Sequence, residues 1–388
     1  MKILITLRHP GPAQAIIPAI KWLDKYYNQI ILIISDEIFS FIRINYRQDI
    51  SGREVYINIK GFWQKILFDD LDDNHVGDRN FIDGRMGDFK SLINEMEYIL
   101  NKEEPDMILR TTPAIGQGID EAVTFAAEHL GILNKLRCFQ ECYDCGRYLE
   151  KLINPVAVVD LIAKEKMQAK GIKCTVVGWL LHGTFCKYKN YRLVRKETRK
   201  RLKLKDTDKV YMYCMIASGN FEIEKQHFRL FLNAIGQKKF WILFHPRNTT
   251  EEKNNYLSMV RNMNYQLATH MKREEILAFP DFIVSLGSAI NIDALQYQIY
   301  SGCTTTETVS VYTSGELTSK IFKKIFKEET QPFCEVNRGS IVADETNYYQ
   351  IMDESIEIDR KSLFSQASMV FGGNYQKIQN NFIEYLKA

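Results

Sequence analysis

The feature that most constrains this chain is an alternation. Short β-branched apolar runs recur along it, separated by longer stretches with apolar residues every three to four positions. That pattern marks strand–helix–strand units, which build parallel sheets covered by helices. The first half reads as strands at 2–7, 30–35, 53–59, 106–110, 137–140, 156–160 and 174–177. Helices are expected at 13–26 and 89–101, and from the loop 111–118 through His129. The second half restarts with a strand at 210–215, then a helix at 222–235 and a strand at 240–244. A strand at 282–285, a helix at 289–298 and a strand at 308–312 follow. Residues 361–387 read as helical with a break at Gly372-Gly373. A chain of 388 residues exceeds one ordinary core and suits two domains of about 150–200 residues. The boundary is expected between Gly178 and Lys209.

Composition narrows the class. With 51 basic and 48 acidic residues the formal charge is only +3, so the chain as a whole is no polyanion binder. The opening run Met1–Leu7 is cut short by Arg8, His9 and Pro10, well below a signal h-region, and no run reaches membrane-spanning length. Eight scattered cysteines fit reduced thiols, so a cytoplasmic protein is expected.

Ligands of open parallel sheets bind beyond the carboxyl ends of the strands, where the strand order reverses. The loops after the strands are therefore the candidates. In Arg8-His9-Pro10-Gly11-Pro12-Ala13-Gln14, Gly11 permits close backbone approach and Pro12 suits a helix start. His9 is a candidate general base, since the unperturbed pKa of an imidazole suits that work; the competing reading is a plain turn. In Phe244-His245-Pro246-Arg247, Pro246 pushes His245 into an extended conformation. Imidazole and guanidinium together suit a phosphate or diphosphate, against a loop with a surface Arg. In the segment Ser285-Leu286-Gly287-Ser288, Ser288 is a helix cap, and open N–H groups suit phosphate oxygens. Asp293 offers a carboxylate for ribose hydroxyls; the alternative is an ordinary N-cap. Ser218-Gly219-Asn220 forms a flexible fourth loop.

In this order the pieces resemble GT-B glycosyltransferases and their relatives, the non-hydrolysing and hydrolysing UDP-N-acetylglucosamine 2-epimerases. Phe244-His245-Pro246-Arg247 is similar to the His-Pro motif of bacterial sialyltransferase-like and capsule transferases. Ser285 and Ser288 resemble their serine motif, and Asp293-Ala294-Leu295 their Glu-Ala-Leu, with Asp one methylene shorter. Glu141 and Asp144 lie where some such enzymes keep an acidic base. The resemblance implies an α/β fold of two Rossmann-like domains facing a central cleft. It assigns 1–180 to the acceptor, 206–365 to the nucleotide-sugar donor, and 366–388 to a helix crossing back to the first domain. It further implies transfer of a sugar from a UDP- or CMP-linked donor to a glycan or lipid-linked acceptor in bacterial surface polysaccharide synthesis, without a bound metal or other cofactor. His9, Glu141 or Asp144 would deprotonate the acceptor. Gly11, Ser218, Gly219, His245, Arg247, Ser285, Gly287, Ser288 and Asp293 would hold the donor nucleotide. Epimerisation or hydrolysis of a nucleotide sugar is the alternative within the fold.

Three features point elsewhere. Cys138-x3-Cys142-x2-Cys145 has the spacing of a radical-SAM iron–sulfur site, though Asp144 stands where an aromatic is expected. Asp69-Asp70-Leu71-Asp72-Asp73 suits a divalent metal or a solvated loop. The basic stretch 187–209 suits an anionic lipid surface or polyanionic acceptor, or a solvated helix between domains. It lacks the recurring aromatics of a nucleic-acid platform, so no nucleic-acid partner is expected.

Overall fold

The computed structural model describes residues 1–8, 10–59, 62–71, 89–111, 118–140, 153, 155–216, 221–246, 248–313, 338–344 and 346–388. The chain divides into two compact units, Met1–Thr184 with Gly373–Ala388, and Phe185–Gly372.

The first unit is built on an eight-stranded sheet in the order β4-β3-β2-β1-β5-β6-β7-β8. Its strands are β1 (Lys2–Leu7), β2 (Gln29–Ile34), β3 (Glu54–Ile59), β4 (Phe62–Leu67), β5 (Met107–Thr111), β6 (Leu136–Phe139), β7 (Val156–Val158) and β8 (Cys174–Val176). All pair in parallel except β4, which runs antiparallel to β3. β1 lies between β2 and β5, with Ile3 opposite both Ile30 and Met107. Helices cover both faces of such a sheet, which is why β1 (KILITL) and β2 (QIILII) are mostly Ile and Leu. β4 sits at the edge, where its alternating burial fits a strand with one wet face.

The helices of this unit include α1 (Pro10–Leu23), α2 (Asp36–Ile50), α3 (Phe89–Glu103), α4 (Ile119–His129) and α5 (Leu161–Ala169). A short α6 (His182–Phe185) spans the end of its first stretch of chain, with Phe185 already in the second unit. Helix α1 starts at Pro10, three residues earlier than expected, so Gly11 lies inside the helix and not in a turn. Proline at the first helical position has no N–H to waste there, which is what moves the start forward. Pro18 sits mid-helix and cannot donate to the Gln14 carbonyl. Thr184 Oγ1 donates to that carbonyl instead, at 2.8 Å. The break at Gly372-Gly373 separates two helices. The later one, named below, packs in the first unit: its Tyr385 hydroxyl accepts Cys138 N–H (2.9 Å) and lies 2.9 Å from Cys138 O.

The second unit carries six parallel strands in the order β11-β10-β9-β12-β13-β14. These are β9 (Tyr211–Cys214), β10 (Phe240–Leu243), β11 (Tyr265–Leu267), β12 (Phe282–Ser285), β13 (Val309–Thr313) and β14 (Ile341–Ala343). Counted within the unit, that is the doubly wound order 3-2-1-4-5-6. Its helices are α7 (Tyr191–Arg201), α8 (Phe221–Ile235), α9 (Thr250–Met259), α10 (Arg273–Ala278), α11 (Ile290–Tyr300), α12 (Tyr348–Met352) and α13 (Arg360–Phe371). The helix returning to the first unit is α14 (Tyr375–Lys387). Aromatic rings fill one core: Tyr213 lies 4.9 Å from Phe228 and 5.1 Å from Phe231 between ring centres.

The basic stretch is not a linker. Helix α7 belongs to the second unit, and two of its arginines turn inward. Arg195 Nη1 donates to the carbonyls of Ala278 (2.8 Å), Phe279 (3.1 Å) and Pro280 (2.8 Å), and Nη2 to Asp281 Oδ1 (2.5 Å). Arg199 adds bonds to Phe279 O (3.1 Å) and Asp208 O (2.6 Å). These guanidiniums satisfy carbonyls left open where α10 ends. Arg192, Lys196 and Lys200 remain exposed, four residues apart on one face.

Candidate functional site

Each sheet reverses its order at its first strand, between β9 and β12 in the second unit and between β1 and β5 in the first. Ligand-binding groups are expected on the carboxyl edge at these points.

In the second unit three neighbouring strands, β10, β9 and β12, bring their ends together. Beyond β10, His245 N–H donates to Asn248 Oδ1 (2.7 Å), and Asn248 N–H returns to His245 O (2.9 Å). Asn248 Nδ2 donates to Ile216 O (3.0 Å), beyond β9. The amide of the same residue is held as well: Ile216 N–H donates to Glu224 Oε1 (2.8 Å), and Tyr256 OH donates to Glu224 Oε2 (2.9 Å). Glu224 lies in the interior, and burial pushes its carboxyl up to about 8.

Beyond β12 the hub is Asn291, wholly buried in the first turn of α11. Its Nδ2 donates to Ile283 O (3.1 Å) and Val311 O (3.3 Å), and its Oδ1 accepts from Ser285 Oγ (2.9 Å). Ser285 Oγ in turn accepts Ser288 N–H (3.0 Å). Tyr312 OH donates to Ser288 O at 3.3 Å. The cap position of α11 is Ala289, not Ser288, although Ser288 Oγ accepts Ile290 N–H at 3.4 Å. The result is a loop fixed from below, with Gly287 and Ser288 half-buried and Ala289 exposed at a helix N-terminus. Such an end suits an anion through its N–H groups and dipole.

Asp293 has a partner that the sequence did not reveal. It is buried, and its carboxylate is ion-paired with Arg273 Nη2, on the first turn of α10. Burial raises its pKa and Arg273 opposes the rise.

At the reversal point of the first unit lies a buried charge cluster. Arg8 follows β1, Arg110 lies within β5, and Asp120 and Glu121 stand in the first turn of α4; none is more than 6% exposed. Arg8 Nη1 donates to Glu121 Oε2 (3.0 Å), which also accepts Gly118 N–H (3.1 Å). Asp120 Oδ1 accepts from Thr6 Oγ1, with Thr111 N–H at 3.4 Å. A Cβ on Gly118 would fall 2.5 Å from Arg8 Cζ, so only glycine lets the guanidinium lie there. Burial drives both carboxyls up. Asp120 rises against Thr6, Arg110 and Arg8, and Glu121 reaches about 7 against Arg8, with Asp120 adding to the rise. Raised carboxyls beside specific charges at a strand-end reversal make this cluster a second candidate site.

Of the residues expected from sequence, His9, Glu141, Asp144, Ser218, Gly219 and Arg247 lie outside the described residues. His245, Ser285, Gly287, Ser288 and Asp293 stand on the carboxyl edge of one sheet, while Gly11 is in α1 of the first unit. Sequence reasoning missed Asn248, Asn291, Arg273 and the Arg8–Glu121 cluster. An Asn just after a strand-end His-Pro and another in a helix's first turn were the available signals. Cys138 is fully buried within β6, between β5 and β7, and Cys142 and Cys145 lie outside the described residues. Asp69 accepts Ser51 Oγ and Gly52 N–H, both at 2.7 Å, closing a turn. Among the described residues no group of three or more His, Cys, Asp or Glu is placed to hold a metal ion. No described helix is long and apolar enough to cross a membrane.

No protein-family model matches the sequence, and no curated protein matches it. Solved structures do match the fold. UDP-GlcNAc 2-epimerase from Neisseria meningitidis bound to UDP-GlcNAc is 11% identical, with TM-score 0.66 over 100% of both chains. A glycosyltransferase from Rickettsia africae ESF-5 is 10% identical, with TM-score 0.59 over 100% of this chain and 97% of that one. MurG from Acinetobacter baumannii is 9% identical, with TM-score 0.51 over 100% and 99%. The chain has the two-domain GT-B fold.

Proposed function

We propose that the chain is a metal-independent, nucleotide-sugar-dependent glycosyltransferase whose second unit binds the donor. The observation that carries this reading is the anion-ready corner of that unit: the Ser285–Asn291–Ser288 network under the N-terminus of α11, two strands from His245. The likeness to a structure bound to UDP-GlcNAc supports a nucleotide sugar as ligand. In this reading the diphosphate rests on Gly287, Ser288 and the N–H groups of α11, with His245 and Arg247 beside it. Preorganised donors there stabilise the charge that develops on the leaving phosphate. Proton removal from the acceptor hydroxyl falls to His9, Glu141 or Asp144, the bases expected in the first unit. The acceptor is a glycan or lipid-linked saccharide of a bacterial surface polysaccharide. The exposed Arg192, Lys196 and Lys200 of α7 hold the enzyme against anionic lipid at the inner face of the membrane.

A thermal-shift screen against UDP, CMP, GDP and their sugars tests the donor site. A ligand at 100 times its Kd stabilises by about 2.7 kcal/mol. His245→Ala is expected to abolish the shift from the nucleotide that binds while leaving the unliganded melting point nearly unchanged. An unaltered shift would move the donor site elsewhere. Nucleotide-sugar epimerisation or hydrolysis is the second reading, favoured by the several UDP-GlcNAc 2-epimerases among the structural neighbours. Free sugar or epimer formed from donor alone would select it; strict dependence on an acceptor selects transfer.

A further inference from the structure

The carboxylate that the sequence offers to a ribose is not presented to solvent. The Asp293 side chain is 4% exposed and engaged by Arg273, whose own side chain is 35% exposed. Helices α10 and α11 follow the parallel strands β11 and β12, so both begin on the carboxyl edge of the sheet. Asp293 N–H donates to Ala289 O (3.1 Å), one turn from Ser288, so the pair stands beside the corner that carries Gly287 and Ser288, and its more accessible member is the cation. A guanidinium has only donors, delocalised positive charge and a planar fork that fits phosphate oxygens. A carboxylate in ribose recognition must offer lone pairs to hydroxyls, and Asp293 directs its Oδ2 at Arg273.

We infer that Arg273 is a specificity-determining residue of the second unit: held in place by Asp293, its guanidinium meets the phosphate oxygens of a nucleoside diphosphate, and the Asp293 carboxylate does not touch the ribose. The inference rests on the donor reading above and gives that site its charge selectivity. Asp293 is then a positioning residue, and the site distinguishes nucleotides by their phosphates more than by their ribose hydroxyls.

The test measures binding of UDP, 2′-deoxy-UDP and uridine by titration calorimetry to wild type, Arg273→Ala, Arg273→Lys and Asp293→Asn. Circular dichroism and melting temperature confirm that each variant folds. In Arg273→Ala the buried Asp293 takes up a proton, a change its raised pKa favours. Wild type is expected to bind UDP and 2′-deoxy-UDP alike within about twofold. Arg273→Ala should weaken UDP about tenfold or more, the worth of a hydrogen bond to a charged group, and leave uridine unchanged. Arg273→Lys should fall between, keeping charge without the fork. Asp293→Asn should lower the preference for UDP over uridine, which a purely structural role would not do. Unchanged UDP binding by Arg273→Ala overturns the inference and leaves the donor reading standing. So does a wild type that binds 2′-deoxy-UDP about tenfold more weakly than UDP when Asp293→Asn binds the two alike. A wild type that binds none of the three removes both.

Discussion

Replacing Glu121 by Gln puts a number on the buried charge cluster. The Glu121 carboxyl rises from an ordinary value of 4.5 to about 7 in the fold, because its burial outweighs the pull of Arg8. The other charges facing it are Asp120, which adds to the rise, and Arg110, which opposes it. On the neighbouring α3, Glu97 turns to His129 at the far end of α4. Below pH 4.5 both folded and unfolded chains hold the proton. Between there and about 7 only the folded chain keeps it, so stability falls as pH rises through the window. About 2.5 pH units at about 1.4 kcal/mol each give a loss of ~3 kcal/mol that is complete above pH 7. Glutamine never ionises, and its carbonyl oxygen can still accept from Arg8 and Gly118. Urea unfolding of both proteins from about pH 5 to about pH 8 reads the effect as a difference between them. Wild type should lose ~2–3 kcal/mol relative to Glu121→Gln across that range. A gap that does not change with pH would mean that Glu121 is ionised throughout as an ordinary partner of Arg8, and the account of the cluster would fail.

Two further outcomes are expected. His227 is 2% exposed in α8 with neither ring nitrogen hydrogen-bonded, and burial pushes its pKa down to about 4. Its ordinary value is 6.5, so the unfolded chain binds the extra proton, and wild type should lose ~3 kcal/mol as pH falls through that window. His227→Leu should not share that loss and should be the more stable protein at neutral pH, read from denaturation midpoints. Tyr385→Phe strips a buried partner from the amide and carbonyl of Cys138, which should cost ~2 kcal/mol in chemical denaturation with the GT-B fold retained.

The parts of this architecture legible in the sequence were those written in local periodicity. Buried central strands such as Lys2–Leu7 and Phe282–Ser285 announce themselves as apolar runs, and their order along the chain already implied doubly wound sheets. Helices α2, α5 and α9 escaped because their polar faces dilute the apolar period; α9 opens with a Thr249/Glu252 capping box that was there to be read. β4 escaped because an edge strand buries little. The candidate site was half legible. His245, Ser285 and Ser288 stand next to strand ends and can be picked out one at a time. Arg8 meets Glu121 across 113 positions, and Arg273 meets Asp293 across 20, so neither pairing exists until the sheet brings the strand ends together. That is why a carboxylate that looked free for a ribose turned out to be committed to an arginine.

The first unit is made from two stretches of chain, with the whole of the second unit between them in sequence. Ribosomes deliver residues in order. Strand β6 is therefore made long before Tyr385 exists to accept Cys138 N–H, and before Phe382 arrives 6.0 Å from Phe139. Until then that part of the first sheet stays wet and apolar at once, the combination on which aggregation and chaperone capture act. The second unit is contiguous and needs nothing made after it. The half that is begun first is consequently the half that cannot be completed until the last residues of the chain arrive.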